Sequence, residues 1–157
     1  MNEGPWYCDR CGSLIEEPRH GWVEWLTKGK AERVEYGLRL VHHALYSPLR
    51  PSKCQYERAE LELNDAIVSD DHLERFLGPD GLMYLLSWLE RDRLPKTEIL
   101  ELIRRLHVKG YELARRAIGR AVAGGVIEEP YPDGYLSQEQ INAVIAWLKT
   151  ERQEEGI

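Results

Sequence analysis

The chain is short of several residues that define whole classes of protein. Its 157 residues include one phenylalanine, two methionines and three cysteines. Three cysteines are too few for the disulfide framework of a small secreted scaffold. They read better as metal ligands or thiols of a cytosolic protein. Uninterrupted apolar runs are only a few residues long, so no segment is expected to span a membrane. The opening Met1-Asn2-Glu3-Gly4-Pro5 lacks the basic start and apolar stretch of a secretory leader, which again points to the cytoplasm. Basic residues are in deficit. Twenty-one Lys and Arg face 27 Asp and Glu, for a net charge of −6. A field of that sign disfavours general attraction to nucleic acid or anionic lipid. No phosphate loop, dinucleotide fingerprint, nucleophile motif, calcium loop or His-Glu-x-x-His spacing is present. The expectation leans away from an enzyme.

What is present suits a globular protein. Hydrophobic residues make up 43% and charged residues 31%, within the ordinary range for one domain or two small ones sharing a core. The charge is unevenly spread. Residues 55–90 hold two basic and nine acidic side chains, residues 91–120 nine basic and four acidic, and residues 121–157 two basic and seven acidic. A basic stretch thus lies between two acidic ones. It is a local anion-binding face, or it neutralises its neighbours in the fold.

The most specific feature is Cys8-Asp9-Arg10-Cys11-Gly12. Two thiolates at this spacing grip one metal from a tight turn, and the glycine allows a positive φ where the chain bends away. Two further ligands are needed for a tetrahedral site. Trp22–Thr27 is rich in aromatic and β-branched residues, Lys28–Glu32 is a polar loop, and Val34, Tyr36, Leu38 and Leu40 alternate with polar positions. This is a β-hairpin pattern. Its second strand delivers His42 and His43 at its end, and a loop containing Pro48 and Pro51 leads to Cys54. Adjacent strand residues point to opposite faces, so one histidine faces the metal. His42 shares the apolar stripe of Leu38 and Leu40 and is preferred, with His43 as the alternative. The expected ligands of a structural zinc ion are Cys8, Cys11, His42 and Cys54. A redox dithiol is the rival reading, but Pro5-Trp6-Tyr7 before the motif and Gly12-Ser13 after it do not give the strand-to-helix context of such sites. An enzymatic reading would require an open zinc site, with a carboxylate from the acidic middle as base. The ligand types and strand order resemble zinc-ribbon and treble-clef modules, in which a knuckle and a hairpin surround one zinc. The resemblance covers the first third of the chain.

Beyond the hairpin, Ser69-Asp70-Asp71 ahead of Leu73, Phe76 and Leu77 predicts a short helix that Gly78-Pro79 ends, with the acids at its positive end. Leu82, Leu85, Leu86 and Leu89 predict a helix over 80–91, and Ile99, Leu102, Ile103 and Leu106 one from Pro95 to His107. A third is expected from Tyr111 to Ala123, with Arg115, Arg116, Gly119 and Arg120 on its polar side, stopped by Gly124-Gly125. Val126–Glu129 reads as a short strand, 130–134 as a turn, and Tyr135-Leu136 as its return. Ser137-Gln138-Glu139-Gln140 is a capping box for a last helix, whose polar end from Glu151 is expected to fray. This element order resembles a winged helix-turn-helix domain. The resemblance implies that the third helix enters the DNA major groove, with Arg115, Arg116 and Arg120 on phosphates or guanine edges and Lys109 and Tyr111 adding backbone contacts.

The expected fold is α+β, with a zinc-bearing β-hairpin module (1–58) packed on a mainly helical, winged-helix-like body (80–157). An acidic segment with a short helix (59–79) connects them. The expected function is a zinc-containing cytosolic regulator that binds DNA through the third helix. The alternative is a non-enzymatic protein-interaction module with a structural zinc. A homodimer is compatible with either.

Overall fold

The computed structural model describes residues 4–50, 53–130 and 135–156. The run Trp22–Thr27 lies in β3 (Gly21–Lys28), the centre of an antiparallel sheet ordered β4-β3-β5, with β4 at Val34–His42 and β5 at Ala66–His72. The hairpin therefore falls where the alternation placed it. Two short strands, β1 (Trp6–Tyr7) and β2 (Leu14–Ile15), pair antiparallel on either side of the Cys8–Cys11 turn.

The β4 alternation is broken once. Glu24 of β3 pairs with Arg39 and Leu26 with Tyr36, so Trp25 opposes both Gly37 and Leu38. This is a β-bulge, and it reverses the facing of everything on its far side. Val34 and Tyr36 therefore do not share a face with Leu38, Leu40 and His42, contrary to the uniform stripe expected from sequence. Lys28 sits over the Tyr36 ring on the other side, 5.4 Å from its centroid. Gly37 has φ +70, and a Cβ there would lie 2.7 Å from the Tyr56 hydroxyl. Glu98 Oε1 closes the bulge by accepting from the Gly37 and Leu38 amides at 3.0 and 3.2 Å.

The segment expected to start a helix at Ser69 is strand β5. All seven of its residues pair with β3, from Lys28↔Ala66 to Trp22↔His72. The sheet supplies a partner for each, and this outweighs the local capping signal. The helical turn begins later, as a 3-10 turn over Leu73–Phe76 with Leu73 and Phe76 buried. Helix α1 (Arg58–Leu63) precedes β5 and is closed at its start by a reciprocal Glu57–Glu60 capping box.

Two compact units divide the chain after His107. Helices α2 (Gly78–Arg91) and α3 (Lys96–His107) belong to the first, although the sequence reading grouped them with the C-terminal segment. In its core Trp88 meets Trp25, Phe76 and Tyr84 with ring centroids 4.9–5.4 Å apart. His107 Nε2 donates to the Phe76 carbonyl at 2.8 Å and tethers the end of α3 there.

The second unit holds α4 (Tyr111–Arg115), α5 (Ile118–Ala123) and α6 (Gln138–Glu155), with Ala114, Ala117, Ala121, Ile141 and Val144 buried together. The single helix expected over 111–123 is two. The chain tightens at Arg116-Ala117, where the Ala117 amide donates to Ala114 and Ala117 takes φ −120 and ψ 4. No strand forms at 126–130 or 135–136 among the described residues. The Val126 amide instead donates to Ala121 and that of Gly125 to Val122, with Gly125 at φ +72. This pair of hydrogen bonds closes a helix C-terminus, and it engages the Val126 amide at the start of the expected strand. Residues 131–134 of the turn expected at 130–134, and Pro51 of the earlier loop, lie outside the described residues. The Ser137–Gln140 capping box is present, and α6 stays helical to Glu155 rather than loosening at Glu151. No helix is long and apolar enough to cross a membrane among the described residues.

Candidate metal centre

Cys8, Cys11, His42 and Cys54 converge. Their ligand atoms all lie within 4.8 Å of one another. The knuckle carries the first two. Cys8 N donates to Ser13 O at 3.0 Å, Gly12 N donates to Cys8 O at 2.9 Å, and Gly12 takes φ +76. The Arg10 amide points at Cys8 Sγ from 3.4 Å, a donor suited to a thiolate. His42 arrives at the end of β4, and Cys54 from the loop that follows. Cys8, His42 and Cys54 are buried, and Cys11 is half-buried.

The His42 ring is oriented. Nε2 lies 3.0 Å from the Leu14 carbonyl and donates to it, because a carbonyl only accepts. Nδ1 therefore carries the lone pair, 3.4 Å from Cys11 Sγ and 3.8 Å from Cys54 Sγ. Metal–sulfur and metal–nitrogen bonds of usual length put N and S about 3.6 Å apart around a tetrahedral zinc. The two Nδ1–sulfur spacings bracket that value, as a shared ion would require. His43 points elsewhere. It caps the turn at Ala44–Tyr46 by accepting from the Leu45 amide, and its ring packs edge-on against Trp22.

The surroundings were not legible in the sequence. Ser47 is buried, and its Oγ accepts from the amides of Leu49 and Cys54. Its hydroxyl proton is left for Cys54 Sγ, 3.0 Å away. No spacing signal marks it. Ser47→Ala removes this donor and orphans two amides, so metal affinity is expected to fall about tenfold or more, measured by competition with a chromophoric chelator. On the knuckle, Asp9 Oδ2 accepts from the Leu40 amide and from Arg105, both at 2.8 Å, and Arg105 also donates to Tyr7 O. Arg105 adjoins Leu102 and Leu106 on the buried side of α3, where the apolar pattern conceals it. Behind Cys54, Glu24 is fully buried. Its Oε1 accepts from Arg39 and from the Tyr56 amide, and Arg39 also donates to Cys54 O at 3.1 Å.

The protonation chemistry follows from these contacts. Burial pushes the Cys8 thiol up to about 12, against hydrogen bonds that favour the thiolate. Burial also raises Cys11, but hydrogen bonds around Ser13, Cys8 and Cys54 outweigh it and hold this thiol below its ordinary value. Burial lifts the Glu24 carboxyl above its ordinary value despite the pull of Arg39.

The residues singled out for nucleic acid are in the second unit. Arg115 bonds the buried Glu112 at 2.9 Å. Arg120 pairs with Glu151 at 3.0 Å and lies over Trp147. Arg116 sits at the break between α4 and α5, and Lys109 is exposed with its carbonyl bonded by Gln138. No single helix presents the three arginines together. In comparisons with known proteins, no family model, curated protein or solved structure matches the chain, so the site is read from its own geometry.

Proposed function

We propose that the protein is a non-enzymatic binding module whose first unit is folded around a structural zinc ion held by Cys8, Cys11, His42 and Cys54. The observation that carries this is the convergence of three thiols and one tautomer-fixed imidazole nitrogen within 4.8 Å. Three sulfurs and one nitrogen are a zinc donor set. Four protein ligands fill a tetrahedron, which leaves no position for a reacting water. Burial of three of the four residues excludes solvent in the same way. Arg10 N and the Ser47 hydroxyl orient and stabilise the thiolates.

Elemental analysis is expected to give one zinc per chain, and X-ray absorption to give three sulfurs near 2.3 Å and one nitrogen, the usual zinc distances. Stripping the metal with a chelator is expected to lower the melting temperature of the first unit by more than about 10 °C. A metal-free protein that melts unchanged would sink the structural role. An additional oxygen ligand would turn the reading towards catalysis.

DNA contact through Arg115, Arg116, Arg120 and Lys109 is the second reading. The pairing of Arg115 with Glu112 and of Arg120 with Glu151 weighs against it, as does the net charge of −6. Fluorescence anisotropy with a mixed-sequence duplex is therefore expected to show no binding in the roughly 10⁻⁴–10⁻⁶ M range of non-specific binders at physiological salt. Salt-dependent binding abolished by the triple alanine variant of the three arginines would reverse this order.

A further inference from the structure

The two outer strands of the β4-β3-β5 sheet differ. The β4 backbone is engaged on its outer side, the Leu40 amide by Asp9 and those of Gly37 and Leu38 by Glu98. β5 pairs with β3 along its whole length and with no other strand among the described residues. Among those residues no hydrogen bond from outside the sheet reaches the backbone of 66–71. None of the seven β5 residues is buried, and Ile67 is 63% exposed. The strand has no lysine, proline or bulge to blunt it. An edge left open in this way is a template for a further strand. Its charge selects the partner. Residues 57–75 hold seven acidic and two basic side chains. Arg58 is paired with Glu62 and Arg75 with Asp71, both at 2.9 Å. Asp70 is exposed, has no cationic partner among the described residues, and stands opposite Glu24 of β3. A second copy of the chain would set this acidic edge against itself, whereas a basic strand would relieve it. Val68, Asp70 and His72 share one face of β5, and Ile67, Ser69 and Asp71 share the other.

We propose that the β5 edge takes an extended basic segment of a partner protein as an additional antiparallel strand, with Lys or Arg opposite Asp70 and a β-branched residue opposite Ile67. Main-chain hydrogen bonds supply the affinity, and the alternating side chains select the segment. Basic residues fall on the face of Val68, Asp70 and His72, and apolar ones on the face of Ile67. The inference names a partner class for the binding-module reading and rests on it, but it uses none of the four metal ligands.

The test is a titration of the full-length protein, as purified and with its metal content measured in parallel, followed by amide proton–nitrogen correlation spectra and hydrogen exchange. The probes are acetyl-Lys-Val-Lys-Val-Lys-Val-amide and the same peptide with Glu in place of Lys. The basic peptide is expected to give saturable shifts over 66–72, with Kd below about 1 mM, and to slow exchange of those amides. The acidic peptide is expected to do neither. Asp70→Lys should weaken the basic peptide about fivefold or more and let the acidic one bind, a gain that a folding defect cannot produce. Basic peptides N-methylated at the lysines or at the valines should differ in affinity about tenfold or more, because a strand turns alternate amides to one neighbour. No binding, equal binding of the basic and acidic peptides, equal effects of the two methylations, or shifts that avoid 66–72 would overturn the proposal. A dimer of the protein paired through 66–72 would overturn it in favour of a second copy. Failure on protein that carries one zinc per chain sinks this inference alone, whereas protein purified without zinc sinks the metal reading.

Discussion

Alanine at position 42 is expected to strip the protein of its zinc, whereas alanine at position 43 is not. His42 presents Nδ1 to two thiols and anchors Nε2 on the Leu14 carbonyl. Its removal deletes one ligand of four and leaves the Leu14 carbonyl without that donor. Metal content after dialysis should fall below about a tenth of wild type, and the melting temperature by more than about 10 °C. His43→Ala loses a turn cap and an edge contact with Trp22, a change of about 1 kcal/mol with full zinc retention. Parallel elemental analysis and thermal melts of the two variants distinguish them. Full zinc in the His42 variant would refute the ligand assignment.

Arg105→Ala is the second large effect. The Arg105 side chain is 6% exposed and that of its partner Asp9 26%. Removing the guanidinium leaves Asp9 and the Tyr7 carbonyl short of donors. Breaking a fully buried pair costs about 3–5 kcal/mol, and the partial exposure of Asp9 reduces this to about 2–4 kcal/mol. Urea unfolding measures the loss. Zinc affinity should fall alongside it, because Asp9 lies between the two knuckle cysteines and its orientation is set by this contact. Unchanged chelator competition in a destabilised variant would uncouple α3 from the knuckle. Arg105→Lys should recover part of the stability and little of the geometry, because a single ammonium does not reproduce both bonds.

Much of the fold is legible in residue patterns. The hairpin, the helices of the middle and the capping box at Ser137 rest on periodicity and on local chemistry that the tertiary structure does not override. The convergence of Cys8, Cys11, His42 and Cys54 was legible in the same way, because metal ligands have few other reasons to share a spacing with a hairpin. The rest depends on partners distant in sequence. Ser69-Asp70-Asp71 has the composition of a helix start, and only the presence of β3 beside it makes it a strand. The bulge at Gly37 depends on Glu98, 61 positions away. Ser47 and Arg105 acquire their roles by folding against Cys54 and Asp9. The helix expected over 111–123 breaks at Arg116-Ala117, where Ala117 leaves helical geometry and its amide donates to Ala114, and nothing in the local residue pattern marks that position.

The outer edge of β4 is closed by side chains rather than by another strand. Asp9 takes the Leu40 amide and gives its own to the Leu40 carbonyl, and Glu98 takes Gly37 and Leu38. Backbone groups already engaged in this way offer no template to a second chain, so the knuckle and Glu98 blunt the β4 edge of the sheet against edge-to-edge pairing. That guard is held in place by the same turn that carries Cys8 and Cys11. If the proposed zinc holds that turn, a chain made under metal starvation is expected to expose this strand edge, so that scarcity shows first as loss of solubility.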